Sequence, residues 1–260
     1  MNIVVLLKQV PSTESFIEIA DDGVSIKTDD LKMVINPYDE FAVEEGIRLK
    51  EVHGGSVTIL SVGREKTTES IRTALAMGAD SGVLIQDPAI EGCDSLGIAR
   101  ILAAALKEIP FDLIIAGQRA VDDDGFQVGV AVAEYLKIPH VSMVIKEKII
   151  DGKIRCHRTV EGGTVILEAP LPALFTTQRG LNEPRYASLP GIMKAKKKPL
   201  DIKTLADIGL DAEKAGKPMT RIMSMKYPPE REGGTIIEGD FAQAKAAALV
   251  KILHEKARVI

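Results

Sequence analysis

The sequence predicts an α/β protein: a doubly wound, mostly parallel sheet with an antiparallel edge and an extended C-terminal arm. Three observations predict it. Up to about Leu136, short apolar runs rich in Val and Ile alternate with helical patterns, as in parallel strands joined by crossover helices. Those runs lack the in–out alternation of half-exposed strands, so helices are expected over both faces. After Pro139 the pattern changes to strand, turn, strand, which suits an antiparallel addition to the parallel core.

Taken in order, residues 3–7 form the first run, and Asp21-Asp22-Gly23 reads as the turn of a small hairpin. Asn36-Pro37 then opens a helix, with Asn36 as N-cap, Pro37 preset for the first turn and Asp39 at the third position; Phe41, Ala42, Glu45 and Leu49 continue its period. Residues 57–62 form the second strand. A helix over about 68–77 ends at Gly78, which suits a left-handed cap. Residues 82–85 form the third strand, and the helix after Asp94 is expected to bury Leu96, Ile98, Ile101, Leu102 and Leu106 before Pro110 stops it. The fourth strand covers 113–116, and a helix runs from near Phe126 to before Pro139. Strands over 141–150, 154–160 and 165–167 follow, with turns at Asp151-Gly152 and Gly162-Gly163. Residues 181–199 carry no clear period. Residues 203–234 are polar and broken by Pro218, Pro228 and Pro229, as in a poorly packed arm, and 241–253 form an amphipathic helix. The expected organisation is a nucleotide-binding α/β domain over 1–200 and an arm with its helix over 201–260. That helix either embraces a partner or folds back on its own domain.

Composition bounds the function. With 260 residues, 45% of them hydrophobic, the chain has material for a sizeable core. Lys and Arg number 33 against 37 Asp and Glu, a balance that gives no overall attraction to nucleic acid or anionic membrane. No cationic leader precedes Asn2-Ile3-Val4-Val5, and no apolar run is long enough to span a bilayer, so the expectation is a soluble, cytoplasmic protein. Cys93 and Cys156 stand far apart and read as reduced thiols. His53, His140, His157 and His254 lack the spacing of a metal site. Neither a dinucleotide-binding glycine motif nor a P-loop occurs, and no nucleophile–base arrangement stands out. No catalytic residue is expected.

In an open parallel sheet, ligands bind beyond the C-terminal ends of the strands. Three segments meet there: residues 6–9, the turn Asn36-Pro37-Tyr38-Asp39, and the loop 117–129. Gly117 lets a ligand approach the backbone, and the first free amides of the next helix, near 126–128, suit a phosphate. Asp122, Asp123 and Asp124 repel phosphate and are assigned to capping, ribose hydroxyls or loop orientation. The same residues also describe an acidic helix cap facing solvent, and pattern alone leaves both readings open. Farther on, the apolar run Leu189-Pro190-Gly191-Ile192-Met193 precedes Lys194, Lys196, Lys197 and Lys198. An apolar anchor beside a steering charge suits docking on an acidic protein surface.

Residues 181–198 resemble the signature of electron transfer flavoprotein beta subunits. The resemblance extends to Asn36-Pro37-Tyr38-Asp39 with Ala42-Val43-Glu44-Glu45, to residues 70–80, and to Ala120-Val121-Asp122-Asp123-Asp124; after about Leu200 it is weak. It implies a sheet of the adenine nucleotide alpha hydrolase-like type and a heterodimer whose alpha subunit carries most of the FAD site. In this subunit it implies a structural AMP, with contacts at Leu6, Asn36, Pro37, Tyr38, Asp39 and Val62, and along Gly117, Gln118, Arg119, Ala120, Val121, Asp122, Asp123, Asp124, Gly125, Phe126, Gln127 and Val128. It further implies a loop that docks acyl-CoA dehydrogenases of fatty acid oxidation, here Arg185, Tyr186, Ser188, Leu189, Pro190, Ile192, Met193 and Lys194, with Leu189 as anchor. Lys194 and Lys197 match lysines that some members methylate. Flavin-bifurcating relatives, which oxidise NADH, hold a second FAD in place of AMP. Asp122-Asp123-Asp124 matches the AMP type and Gln127-Val128-Gly129 the bifurcating type, while the match over 181–198 favours AMP.

Overall fold

The computed structural model describes residues 1–215, 217–230 and 233–260; Gly216, Arg231 and Glu232, which fall in the expected arm, lie outside the described residues. Two compact units are present, Met1–Met223 and Ser224–Ile260.

The first unit is built on β1 (Asn2–Leu6), whose Ile3 and Val5 enter one apolar cluster while Val4 and Leu6 enter another. A strand that buries both faces has no polar side to display, which is why its sequence shows no alternation. β2 (Gln9–Pro11) and β3 (Met33–Ile35) form a separate antiparallel ribbon. Between them, the expected hairpin closes at the bridge of Ile19 with Ile26, with Gly23 at φ 68°. α1 (Pro37–His53), β4 (Ser56–Val62), α2 (Thr67–Met77), β5 (Ser81–Ile85), α3 (Ser95–Leu106), β6 (Leu113–Gly117) and α4 (Val128–Leu136) follow. Gly78 ends α2 at φ 146°, and the Asp94 carboxylate caps α3 by accepting from the Gly97 N–H at 2.9 Å. α3 buries Ile101, Leu102 and Leu106, but Leu96 is exposed, because it lies across the helix axis from the buried stripe.

β7 (His140–Ile150), β8 (Lys153–Val160) and β9 (Gly163–Pro170) form the antiparallel edge. Asp151 and Gly152, both at positive φ, make the tight turn between the first two. The larger elements with no counterpart in the sequence reading are β10 (Ala173–Thr177), α5 (Leu189–Ala195) and β11 (Leu200–Lys203). β10 is buried throughout and inserts between β6 and β7, parallel to both. α5 occupies the segment that shows no period, and β11 pairs with β5, carrying the sheet past residue 200. The sheet order is β11-β5-β4-β1-β6-β10-β7-β8-β9, parallel from β11 to β7. α1 and α2 supply side chains to the cluster on one face and α3 and α4 to the cluster on the other, so the sheet is doubly wound.

The first unit closes with the short α6 (Ala212–Ala215). The second unit contains α7 (Ala242–Lys251), which buries no residue and continues as a wider-wound turn over Ile252–Ala257. Among the described residues no helix is long and apolar enough to cross a membrane.

Candidate functional site

β1 lies between β4 and β6, so the connections leaving its C-terminal end diverge to opposite sides and open a crevice there. Asp39, buried in the first turn of α1, ties the two strand ends together. Its carboxylate accepts from the Lys8 N–H at 2.7 Å and from the Gly117 N–H at 3.0 Å. Burial pushes this carboxyl up to about 7, against the pull of those two donors and of Asn36. Gly117 is required by the same contact, since a Cβ there would stand 2.2 Å from an Asp39 oxygen.

Asn36 occupies the N-cap position of α1, but its side chain caps nothing. Instead, Nδ2 donates to the Arg119 carbonyl at 2.8 Å and Oδ1 accepts from the Val121 N–H at 3.1 Å. The capping expectation is therefore corrected. The loop after β6 offers a carbonyl and an amide at a half-buried place, and Asn36 is the side chain that satisfies both. Behind it, the Thr177 hydroxyl donates to the Tyr38 carbonyl at 2.8 Å.

The loop's charges are paired internally. Lys8 Nζ lies 2.8 Å from Asp122 and 3.0 Å from Asp123; burial opposes its charge, but the two carboxylates outweigh this and hold the ammonium above its usual range. Arg119 donates to Asp124 at 2.5 Å and to the Tyr38 hydroxyl at 3.0 Å. Its guanidinium lies 5.0 Å from the Tyr38 ring centre and 5.4 Å from that of Phe126. Asp124 and Phe126 adopt φ of 47° and 56°, a conformation that non-glycine residues take only when their surroundings impose it.

These elements surround a cavity of about 250 Å³. Leu6, Asn36, Asp39, Val62, Gly117, Gln118, Arg119, Ala120, Asp123, Gly125, Phe126, Gln127 and Val128 all line it. Pro37, Tyr38, Val121, Asp122 and Asp124 stand behind the wall: Val121 is held by Asn36, Asp122 by Lys8, Asp124 and Tyr38 by Arg119, and Pro37 starts α1. Sequence reasoning missed a whole side of the cavity, formed by Cys93, Asp94, Ser95, Ile98 and Leu102 around the start of α3, while Leu7, Lys8 and Gly129, which also line it, fall within the expected segments. The available signal was topological: α3 and α4 cover the same face of the sheet, so the start of one faces the start of the other.

Two features fit a nucleotide. Gln118 Oε1 is buried in the wall without a hydrogen-bond partner, the state of an acceptor awaiting a donor. The start of α4 has no side-chain cap, leaving its leading amides for an anion. Around them, Val62, Ile98 and Leu102 provide an apolar side. Nothing here forms a nucleophile with its base; burial raises the Cys93 thiol above its usual range. No cluster of metal-binding side chains occurs among the described residues.

The second candidate region lies on α5. Ser188 Oγ caps it through the Gly191 N–H at 3.1 Å, with Pro190 in the first turn. Leu189 is 80% exposed and Tyr186 98%, with Ile192, Met193, Lys194 and Lys197 also outward. Arg185 differs from these. It donates to both Glu44 and Glu51 of α1, at 2.6–3.1 Å, and these carboxylates hold its guanidinium above its usual range. Its charge is thus already paired within the chain.

Comparison with known proteins matches the electron transfer flavoprotein domain to residues 24–208. The electron transfer flavoprotein subunit beta of Bacillus subtilis (strain 168) is 42% identical over 261 residues, covering 100% of both chains. That of Methylophilus methylotrophus is 38% identical, covering 98% of each. A caffeyl-CoA reductase-Etf complex subunit of Acetobacterium woodii is 37% identical, covering 98% of this chain and 99% of its own. End-to-end identity at this level, on a doubly wound sheet with a crevice at its switch point, means that the chain belongs to the electron transfer flavoprotein family, among its beta subunits.

Proposed function

We propose that this subunit holds AMP in the crevice between β1 and β6, completes the FAD site of an alpha partner, and presents α5 to acyl-CoA dehydrogenase-type flavoproteins. The observation that carries the nucleotide reading is the Asn36 clamp on the loop after β6, with the unpartnered Gln118 oxygen in the cavity it shapes. On this reading Gln118 supplies an acceptor for an exocyclic amine, the leading amides of α4 take the phosphate, and Asp123, which lines the cavity, serves the ribose hydroxyls. Bound FAD supplies the redox chemistry; the residues of this chain bind and orient, and none acts as a catalytic acid or base. The docking reading rests on Leu189, an exposed apolar side chain among lysines.

A second reading places another FAD in this cavity, within a flavin-bifurcating heterodimer that oxidises NADH. Gln127-Val128-Gly129 at the start of α4 favours it, as does similarity to a subunit of a caffeyl-CoA reductase-Etf complex. The two readings separate when the chain is co-expressed with its alpha subunit, the complex is denatured and the released nucleotides are quantified. One FAD with one AMP per heterodimer is the expected result. Two FAD establish the second reading, and no nucleotide besides a single FAD defeats both.

A further inference from the structure

The lysines that follow α5 form one basic run in sequence but divide in the fold. Lys194, Lys196 and Lys197 are exposed. Lys198 turns inward, and its ammonium donates to the Leu75 carbonyl at 2.9 Å and the Ala79 carbonyl at 2.5 Å, at the C-terminal end of α2. Burial lowers its pKa, as fits an ammonium withdrawn from water. The reverse connection is also made: Arg72 of α2 donates from Nη1 to the Ala195 carbonyl at 2.6 Å and the Lys198 carbonyl at 2.7 Å, closing the C-terminal end of α5. Each helix thus has one carbonyl of its last turn, and one just beyond it, satisfied by a cation from the other's segment, at the end where the helix dipole is negative.

Little else fixes α5. It has seven residues, of which only Ala195 is buried, and a helix this short does not persist alone in water. Gly191 lies so close to α2 that a Cβ there would stand 2.4 Å from the Ala76 carbonyl. Close backbone approach and exchanged caps, rather than apolar packing, therefore set its orientation.

We propose that the exchange of caps between Arg72 and Lys198 is a positioning device, which holds α5 on α2 so that Leu189, Ile192 and Met193 face outward in the single orientation that an apolar pocket on an acidic flavoprotein surface accepts. Lys194, Lys196 and Lys197 supply the complementary charge around that face. The inference rests on the docking role given to α5 above, and it makes Arg72 and Lys198 positioning residues that touch no substrate.

The test uses the heterodimer with its alpha subunit and a purified acyl-CoA dehydrogenase reduced by its acyl-CoA substrate. Arg72→Gln is expected to raise the KM for the heterodimer about tenfold with kcat and flavin content unchanged. Lys198→Met, from the other half of the exchange, should act in the same direction, and Arg72→Lys should recover part of the loss. Because the device works through Leu189, Leu189→Ala should cost little more in the Arg72→Gln background. Amide hydrogen exchange over residues 189–195 should accelerate in both cap variants while the core strands keep their protection. If Leu189→Ala raises KM but neither cap variant does, the positioning device is overturned and the docking role stands. If Leu189→Ala has no effect, the docking role itself falls, and unaltered exchange over 189–195 removes the positioning device independently. Should Arg72→Gln fail to assemble, Lys198→Met carries both measurements.

Discussion

Glu147, on β7, stands against Glu45 of α1, whose carboxylate accepts from Asn182 Nδ2 at 2.7 Å and lies 3.6 Å from Arg48. Burial and the neighbouring Glu45 push the Glu147 carboxyl up to about 8 from an ordinary value of 4.5. The folded protein therefore keeps a proton there that the unfolded chain releases. Its contribution to stability is complete below about 4.5 and is lost as pH rises through about 8. In Glu147→Gln the amide cannot titrate, so Tm should fall less than in the parent between those two values. Thermal melts across that window check it, and parallel slopes would remove the pair from the account. Cys156, beside Glu147, is pushed up to about 12 by burial and by that carboxyl, which disfavours its thiolate at neutral pH.

At the scale of elements, Asn36 joins the start of α1 to the loop after β6, and removing its amide separates two segments more than eighty residues apart in sequence. Asn36→Ala leaves a half-buried carbonyl and a half-buried amide without that partner, at about 1 kcal/mol for each hydrogen bond lost. Nucleotide content per heterodimer and Tm should both fall; a lower Tm with full nucleotide content would leave Asn36 a purely structural role. The same residue marks the limit of what the sequence discloses. Asn36-Pro37 announces a helix start, and the start is there, yet a cap and a long-range clamp use one amide, and only the placement of the loop after β6 selects between them. β10 escaped notice for a different reason: Ala173-Leu174-Phe175-Thr176-Thr177 is short, carries neither Val nor Ile and ends in two threonines, so it lacks the apolar run that marks the other buried strands. α5 has too few buried positions to show a period, and its last carbonyl is met by Arg72, a residue of another helix. Strands β1, β4, β5 and β6 were legible because their Val and Ile content and their intervening helix signals agree.

For the whole molecule, the crevice was legible as a place because parallel strands open their ligand sites beyond their C-terminal ends, whereas its α3 wall was not, since Asp94 and Ser95 read simply as a helix start. A ligand that binds only the folded state stabilises it by mass action, by about 2.7 kcal/mol at a hundred times its dissociation constant. AMP added to heterodimer stripped of that nucleotide should accordingly raise Tm with concentration, and guanosine monophosphate should do so less, because its base offers a carbonyl where adenine offers an amine. Equal shifts from the two would remove Gln118 as the acceptor of that amine.

β10 follows β7, β8 and β9 in the chain yet fills the gap between β6 and β7. During vectorial synthesis, a nascent chain arrested at residue 170 has its meander available for local pairing, but the inner flank of β6 remains open. The Thr177 hydroxyl that braces Tyr38, and the Thr177 carbonyl that accepts from the Gln118 N–H, arrive only with that last insert. The nucleotide site proposed above therefore requires β10, and a chain that stops before Ala173 lacks the two Thr177 contacts that brace its wall.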